Sequence, residues 1–151
     1  MKSLSDPMGS DDVSSVNSDG IAFVRARRSM FAHLVPDGRA AALLLCEAVL
    51  VSGCDDVAVT RDGDFYAVKS STDWLSGCAD VFEHVVAFPE LGANAIHPEL
   101  VLSAFSTELV TVCNGETRFV VGTATSNAVK ISVPDTGRSV IFRLSGDSWP
   151  G

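Results

Sequence analysis

The sequence predicts an α+β fold: a two-layer α/β sandwich whose mixed, mostly antiparallel sheet is covered by helices on one face. Three observations carry this. The dipeptides Asp62-Gly63 and Asn114-Gly115 each stand between short runs that alternate apolar and polar residues, the pattern of a hairpin. A last run, with Val140, Phe142 and Leu144 alternating, follows the turn at 135–138. Segments with helical signals lie before and between these runs, and one-sided strands need such a layer on their apolar face.

Taken in order, residues 1–19 are rich in Ser, Asp, Asn and Gly and read as a disordered tail, with 20–151 as a single domain. Residues 21–30 predict a short helix. Pro36-Asp37-Gly38 is a loop in which Asp37 or Gly38 is placed to cap the next helix. That helix, 39–51, is apolar almost all round, which predicts burial, and Gly53 ends it. The first hairpin covers 57–68. Within the mixed segment 73–88, residues 79–86 predict a helix; 89–98 reads as a loop, and 99–105 as a short helix entered through Pro98. Strands at 109–113 and 117–121 flank Asn114-Gly115, and Val129, Ile131 and Val133 alternate with polar residues.

Composition narrows the function classes. A net charge of −8 over 151 residues argues against a surface built for nucleic acid. The basic cluster Arg25, Arg27 and Arg28 reads as a solvated helix end. With 46% apolar residues and a mean hydropathy of +0.26, a homodimer or protein-partner interface is expected. The longest apolar run, AAALLLCEAVLV, is interrupted by Glu47 and too short to span a membrane. No export signal marks the N-terminus, so a cytoplasmic protein is expected. Its Cys46, Cys54, Cys78 and Cys113 should then be reduced and serve as small apolar fillers. These cysteines form no C-x-x-C pair and His33, His84 and His97 are isolated, so no metal site is expected. Asp55 and Asp56 read as solvent-facing charges where the first strand begins.

Four segments, in order, carry a family resemblance. VRARRSMFAH (24–33) looks like VRKRPGMYIG, SGCDDVAVT (52–60) like AGHCDDIEVT, SAFSTELVTV (103–112) like NALSKKLELTV, and TGRSVIF (136–142) like TGTMVRF. The chain thereby resembles the N-terminal ATP-binding domain of type II DNA topoisomerases, the gyrase B kind, within the GHKL (Bergerat-fold) ATPases. The resemblance implies that fold over nearly all of 24–144.

It also implies where an ATP site would lie, and there the sequence departs from the family. The family's main helix carries a water-activating Glu and, one turn on, a magnesium-binding Asn. One register puts Ala40 and Leu44 at these positions; the other puts Glu47 and Val51 there. Leucine or valine offers no oxygen to Mg²⁺. The adenine-binding DDGRG motif is SSTDW here. Ser70 then stands for the Asp, Thr72 and Trp74 stand for glycines, and Trp74 is expected to crowd or fill the pocket. Of the phosphate loop GGLHGVG only Gly92 is kept in GANAIHP, where His97 and Pro98 replace flexible positions and the proline removes an N–H donor. The lid segment between Ser71 and Gly92 is short. The Thr that supports adenine is Arg138, beside Ser139. No transducer domain, the source of the family's catalytic lysine, is expected within 20–151.

The expectation is therefore a degenerate gyrase B-like domain without ATP hydrolysis, acting as a binding or regulatory module with no required cofactor. Its partner would be a second copy, a topoisomerase or another GHKL protein. Two alternatives stay open. One is a weak ATPase using ATP and magnesium, with Glu47 as remnant base, Ser70 and Ser139 on adenine and Arg138 on phosphate. The other is a magnesium-independent nucleotide sensor built on Ser70, Thr72 and Ser139.

Overall fold

The structure is a computed structural model and describes residues 20–122 and 134–144. The expectations for 1–19 and for Val129, Ile131 and Val133 lie outside these residues. Two short helices open the chain, α1 (Gly20–Ala26) and α2 (Arg28–Phe31), followed by a 3₁₀ turn, Ala32–Leu34. The expected single helix at 21–30 is thus interrupted: Arg27 leaves the helical region at φ −118°, ψ 43°. Helix α3 (Gly38–Val51) begins where Asp37 accepts a hydrogen bond from the Ala40 amide, as the capping signal predicted.

The sheet is built from β1 (Ala58–Asp62), β2 (Phe65–Ser70), β3 (Ser106–Cys113), β4 (Glu116–Val121) and β5 (Arg138–Leu144), with helix α4 (Pro98–Phe105) leading directly into β3. Its order is β1-β2-β5-β3-β4, and every pairing among these strands is antiparallel, so the mixed character expected of the sheet does not occur among the described residues. Both hairpins form. The first turns through Gly63-Asp64, one residue later than the dipeptide suggested, because Asp62 pairs with Phe65. The second turns through Asn114 and Gly115, both at positive φ, as a tight hairpin turn demands.

The register sorts side chains onto two faces. Leu109, Phe142 and Tyr66 share one face with Thr111, Val140 and Val68, and with Cys113, Arg138 and Ser70 one step further along. That face meets the helices: Leu45 and Val49 of α3 and Leu100, Val101, Leu102 and Phe105 of α4 pack with Val68, Leu109, Val140 and Phe142 in the main core. This is the predicted two-layer α+β arrangement. The reverse face is not simply polar, however. Phe65, Ala67, Val110, Val112 and Ile141 form a second buried cluster there, so the central strands are apolar on both sides.

Two further expectations are overturned. Helix α3 is not buried all round: Leu43 and Leu50 are 56% and 51% exposed, while Ala41, Ala42, Leu45, Ala48 and Val49 are buried and Leu44 and Cys46 half-buried. Residues 79–86 form turns and no helix. The Asp80 carboxylate accepts the Phe82 amide at 3.1 Å, a local bond that competes with helical pairing, and Asp73 binds the Leu75 amide in the same way. No helix among the described residues is long and apolar enough to cross a membrane.

Candidate functional site

Strand β2 ends at Ser70, and the chain from 71 to 97 then runs across the helical side of the sheet before α4 begins. Polar side chains fasten its start. Ser70 is 3% exposed; its hydroxyl donates to Asp56 at 3.0 Å and accepts the Thr72 amide at 3.2 Å. The Ser71 amide donates to the other Asp56 oxygen at 2.9 Å. Hydrogen bonds from the Ser71 side chain and amide and from Ser70 hold the Asp56 carboxyl below its usual pKa. Asp56 is exposed, yet it organises a turn rather than merely facing water. Gly137 closes the same corner. It sits at φ +79°, and a Cβ there would overlap the Ser70 carbonyl.

Opposite Ser70 on β5 stands Arg138. Its guanidinium donates to both Asp73 oxygens, at 2.6 and 3.4 Å, and to the Thr111 hydroxyl at 2.7 Å. Thr111 in turn donates to the Ser139 carbonyl at 3.1 Å, and the Cys113 thiol donates to Asp73 at 3.4 Å. Burial pushes the Asp73 carboxyl up, but the bonds and charge of Arg138 outweigh it and the net pKa is lowered. For Cys113, burial and the bond to anionic Asp73 both raise the thiol pKa, which keeps it protonated.

Beside this pair lies Trp74, 6% exposed, whose indole N–H donates to Glu99 Oε2 at 2.9 Å. Glu99 is 0% exposed; its Oε1 accepts no hydrogen bond among the described residues and lies 3.8 Å from His97 Nδ1. His97 caps α4 and stacks on Phe88 with ring centres 4.2 Å apart. Burial raises the Glu99 pKa, against the bond from Trp74, and burial lowers that of His97.

A cleft of about 420 Å³ adjoins the network, with Leu75, Val81 and Phe82 on one side and Thr111, Cys113 and Arg138 on the other. Its outer wall is Arg118, paired with Asp80 at 3.0 Å and with Glu83. A second hollow of about 410 Å³ lies by Asp55, Asp56, Ser70 and Ser71.

The residues singled out from sequence are only partly brought together. Ser70 and Arg138 are cross-strand partners on the helical face, and Thr72 is exposed beside Ser70. Ser139 pairs with Lys69 and therefore points to the reverse face, so Ser70 and Ser139 cannot line one pocket. Glu47 is exposed on α3. Gly92 sits in a turn closed by the Ala87–Ile96 bridge, its amide and carbonyl engaged with Pro89 and Ala95. All four cysteines are free, and Cys78 is exposed rather than a filler. Arg25 caps the Ala104 carbonyl at 2.9 Å, and Arg27 stacks on Phe23, so these basic residues finish helices. Among the described residues no cluster of three or more His, Cys, Asp or Glu side chains is placed to hold a metal ion.

Sequence reasoning missed Asp73, Thr111 and Glu99. Glu99 had a readable signal, a single charge inside the otherwise apolar PELVLSAF. No family model, curated protein or solved structure matches this chain.

Proposed function

We propose that the chain is a GHKL-type domain of the gyrase B kind that no longer hydrolyses ATP and works as a cytoplasmic binding or regulatory module. The observation that carries this reading is the Arg138–Asp73 pair with Trp74 buried beside it. By the resemblance, the neighbours Ser70 and Arg138 stand where an adenine-binding Asp and its supporting Thr would be, and their cross-strand pairing supports that correspondence. The chemistry has changed. The Ser70 hydroxyl is turned to Asp56, Arg138 lies along Asp73, and Trp74 takes core volume. Glu47 is exposed, and neither register of the helix supplies an oxygen where magnesium would need one. The partner on this reading is a second copy, a topoisomerase or another GHKL protein.

A magnesium-independent nucleotide or small-molecule sensor is the second reading, favoured by the cleft of about 420 Å³ beside Thr111 and Arg138. One experiment separates the two: calorimetric titration with ATP and a non-hydrolysable analogue, with and without Mg²⁺, alongside thermal denaturation. The non-hydrolysing module gives no heat and no shift in Tm at millimolar nucleotide, since a ligand that binds the folded state must raise Tm. Binding indifferent to Mg²⁺ selects the sensor. Binding that tightens with Mg²⁺ overturns both and restores a weak ATPase with Glu47 as base.

A further inference from the structure

Helix α4 contains one ionisable side chain, Glu99, and every residue of that helix is buried. A carboxylate at 0% exposure needs a directly bonded counter-charge or several donors, and Glu99 makes no ion pair with Arg138, whose charge only partly offsets its burial. The Trp74 indole donates to Oε2 at 2.9 Å.

Arg138 offsets part of that cost through its charge, but its hydrogen bonds go elsewhere. Arg138 on β5 lies on Asp73 and Thr111. The Cys78 thiol, on the 71–97 connection, lies in the field of Glu99, Asp73 and Glu90, and Glu90 acts on His97 as well. On α1, Arg25 caps Ala104 at the far end of α4, while Arg39 and Glu47 on α3 are exposed. That leaves His97 Nδ1, 3.8 Å from Oε1. A proton on Oε1 has that nitrogen as the nearest acceptor within this pair, and closing the gap by roughly 1 Å makes an ordinary O–H···N hydrogen bond. Glu99 as the neutral acid then satisfies both its oxygens, accepting from Trp74 and donating to His97.

These two partners stand near opposite ends of one segment, Trp74 just after β2 and His97 just before α4. We propose that Glu99 is a proton-dependent latch on the 71–97 connection: as the neutral acid it accepts from Trp74 at one end and faces His97 at the other, and on losing its proton it leaves a buried charge that opens the connection to water. The idea stands whether or not the domain binds nucleotide.

The sign follows from burial. With its folded-state pKa raised, Glu99 contributes stability fully below the ordinary glutamate value, near 4.3, and loses it as pH rises through the folded-state pKa. His97, lowered by burial, acts in the opposite sense: its contribution is full above about 6.5 and is lost as pH falls through its folded-state pKa. The latch is therefore closed on the acid side of the Glu99 transition and opens on its alkaline side.

The test uses the full chain carrying Trp149→Phe, which leaves Trp74 as its one tryptophan. Tryptophan emission and urea unfolding are followed from the ordinary glutamate value upward in pH, with and without Glu99→Gln. The expected result is a reversible red shift of Trp74, with the folded-to-unfolded ratio falling up to tenfold per pH unit. In Glu99→Gln both profiles flatten, because the amide can accept from Trp74 and donate to His97 while carrying no charge. Parallel profiles in the two proteins overturn the latch. Hydrogen exchange adds a second criterion: amides of 71–97 must open before those of β3 and β5, and a uniform loss overturns it too. Should Glu99→Gln not fold, carboxyl-resolved NMR titration of the Trp149→Phe protein decides. Ionisation of Glu99 above the ordinary glutamate range supports the latch, and ionisation within that range sinks it.

Discussion

The sheet with its helices and the 71–97 connection lie against each other but are held by different physics. Between α3, α4 and the sheet the contacts are apolar and continuous, with Leu45, Leu100, Phe105, Leu109, Val140 and Phe142 essentially inaccessible to water. The connection has its own buried anchors in Leu75, Val81 and Phe82, but its path is set by a few polar links: Asp56 to Ser70 and Ser71, Asp73 to Arg138, Trp74 to Glu99, and Asp80 to Arg118. A core of the first kind spreads its stability over many small contacts, so a deletion anywhere is felt globally. A segment of the second kind depends on single atoms, and losing one should loosen it locally first.

Phe142→Ala sets the upper end of that comparison. Phe142 is 0% exposed, lies in a strand paired on both sides, and stacks on Tyr66 at 6.0 Å. Its truncation should cost about 3–5 kcal/mol in urea unfolding, with one cooperative transition lowered for all probes. A loss confined to one region would show that the sheet is not the unit of cooperativity.

Asp73→Asn should come next, at about 2 kcal/mol. It keeps the shape but leaves the Arg138 guanidinium, 14% exposed on its side chain, without its counter-charge. Hydrogen exchange should rise in the connection before it rises in β3 or β5. The acid response supplies an independent check. Asp73 and Asp80 have folded-state pKa values below the ordinary aspartate value, so each contributes stability above about pH 4 that is lost as pH falls through its folded-state pKa. The wild type should weaken steeply in acid, and Asp73→Asn should do so less steeply.

The contrast between the two regions also explains what could be read in advance. Asn114-Gly115, the alternation of Val140 and Phe142, and the Asp37 cap are local signals, and each appears in the structure where the sequence placed it. The reverse-face cluster escaped because Ala67, Val110 and Ile141 interrupt the alternation in strands buried on both sides, and period alone cannot separate these from other apolar runs. The expected helix at 79–86 failed because apolar spacing says nothing about Arg118, far along the chain, whose guanidinium takes both Asp80 oxygens. The site was legible only in part for a related reason. The Ser70–Arg138 juxtaposition follows from strand pairing, and Ser139's reversal follows from the same register, but Asp73 and Glu99 matter through partners 65 and 25 residues away.

Arg118→Ala should have the smallest effect and sharpens the comparison most. Arg118 contacts Asp80 and Glu83 and lies 5.7 Å from the Phe82 ring, so a count of contacts would rank it above Arg138. Its side chain is 41% exposed, however, and those of its partners are 33% and 48% exposed, so water already screens each charge. The expected loss is below about 1 kcal/mol, and it should shrink further in high salt, whereas the Asp73→Asn deficit should persist because that pair is more buried. Urea unfolding of both variants at low and high salt checks this. Equal, salt-insensitive losses would mean that burial does not rank the two pairs, and that the connection is fastened as firmly at the β4 edge as at Arg138.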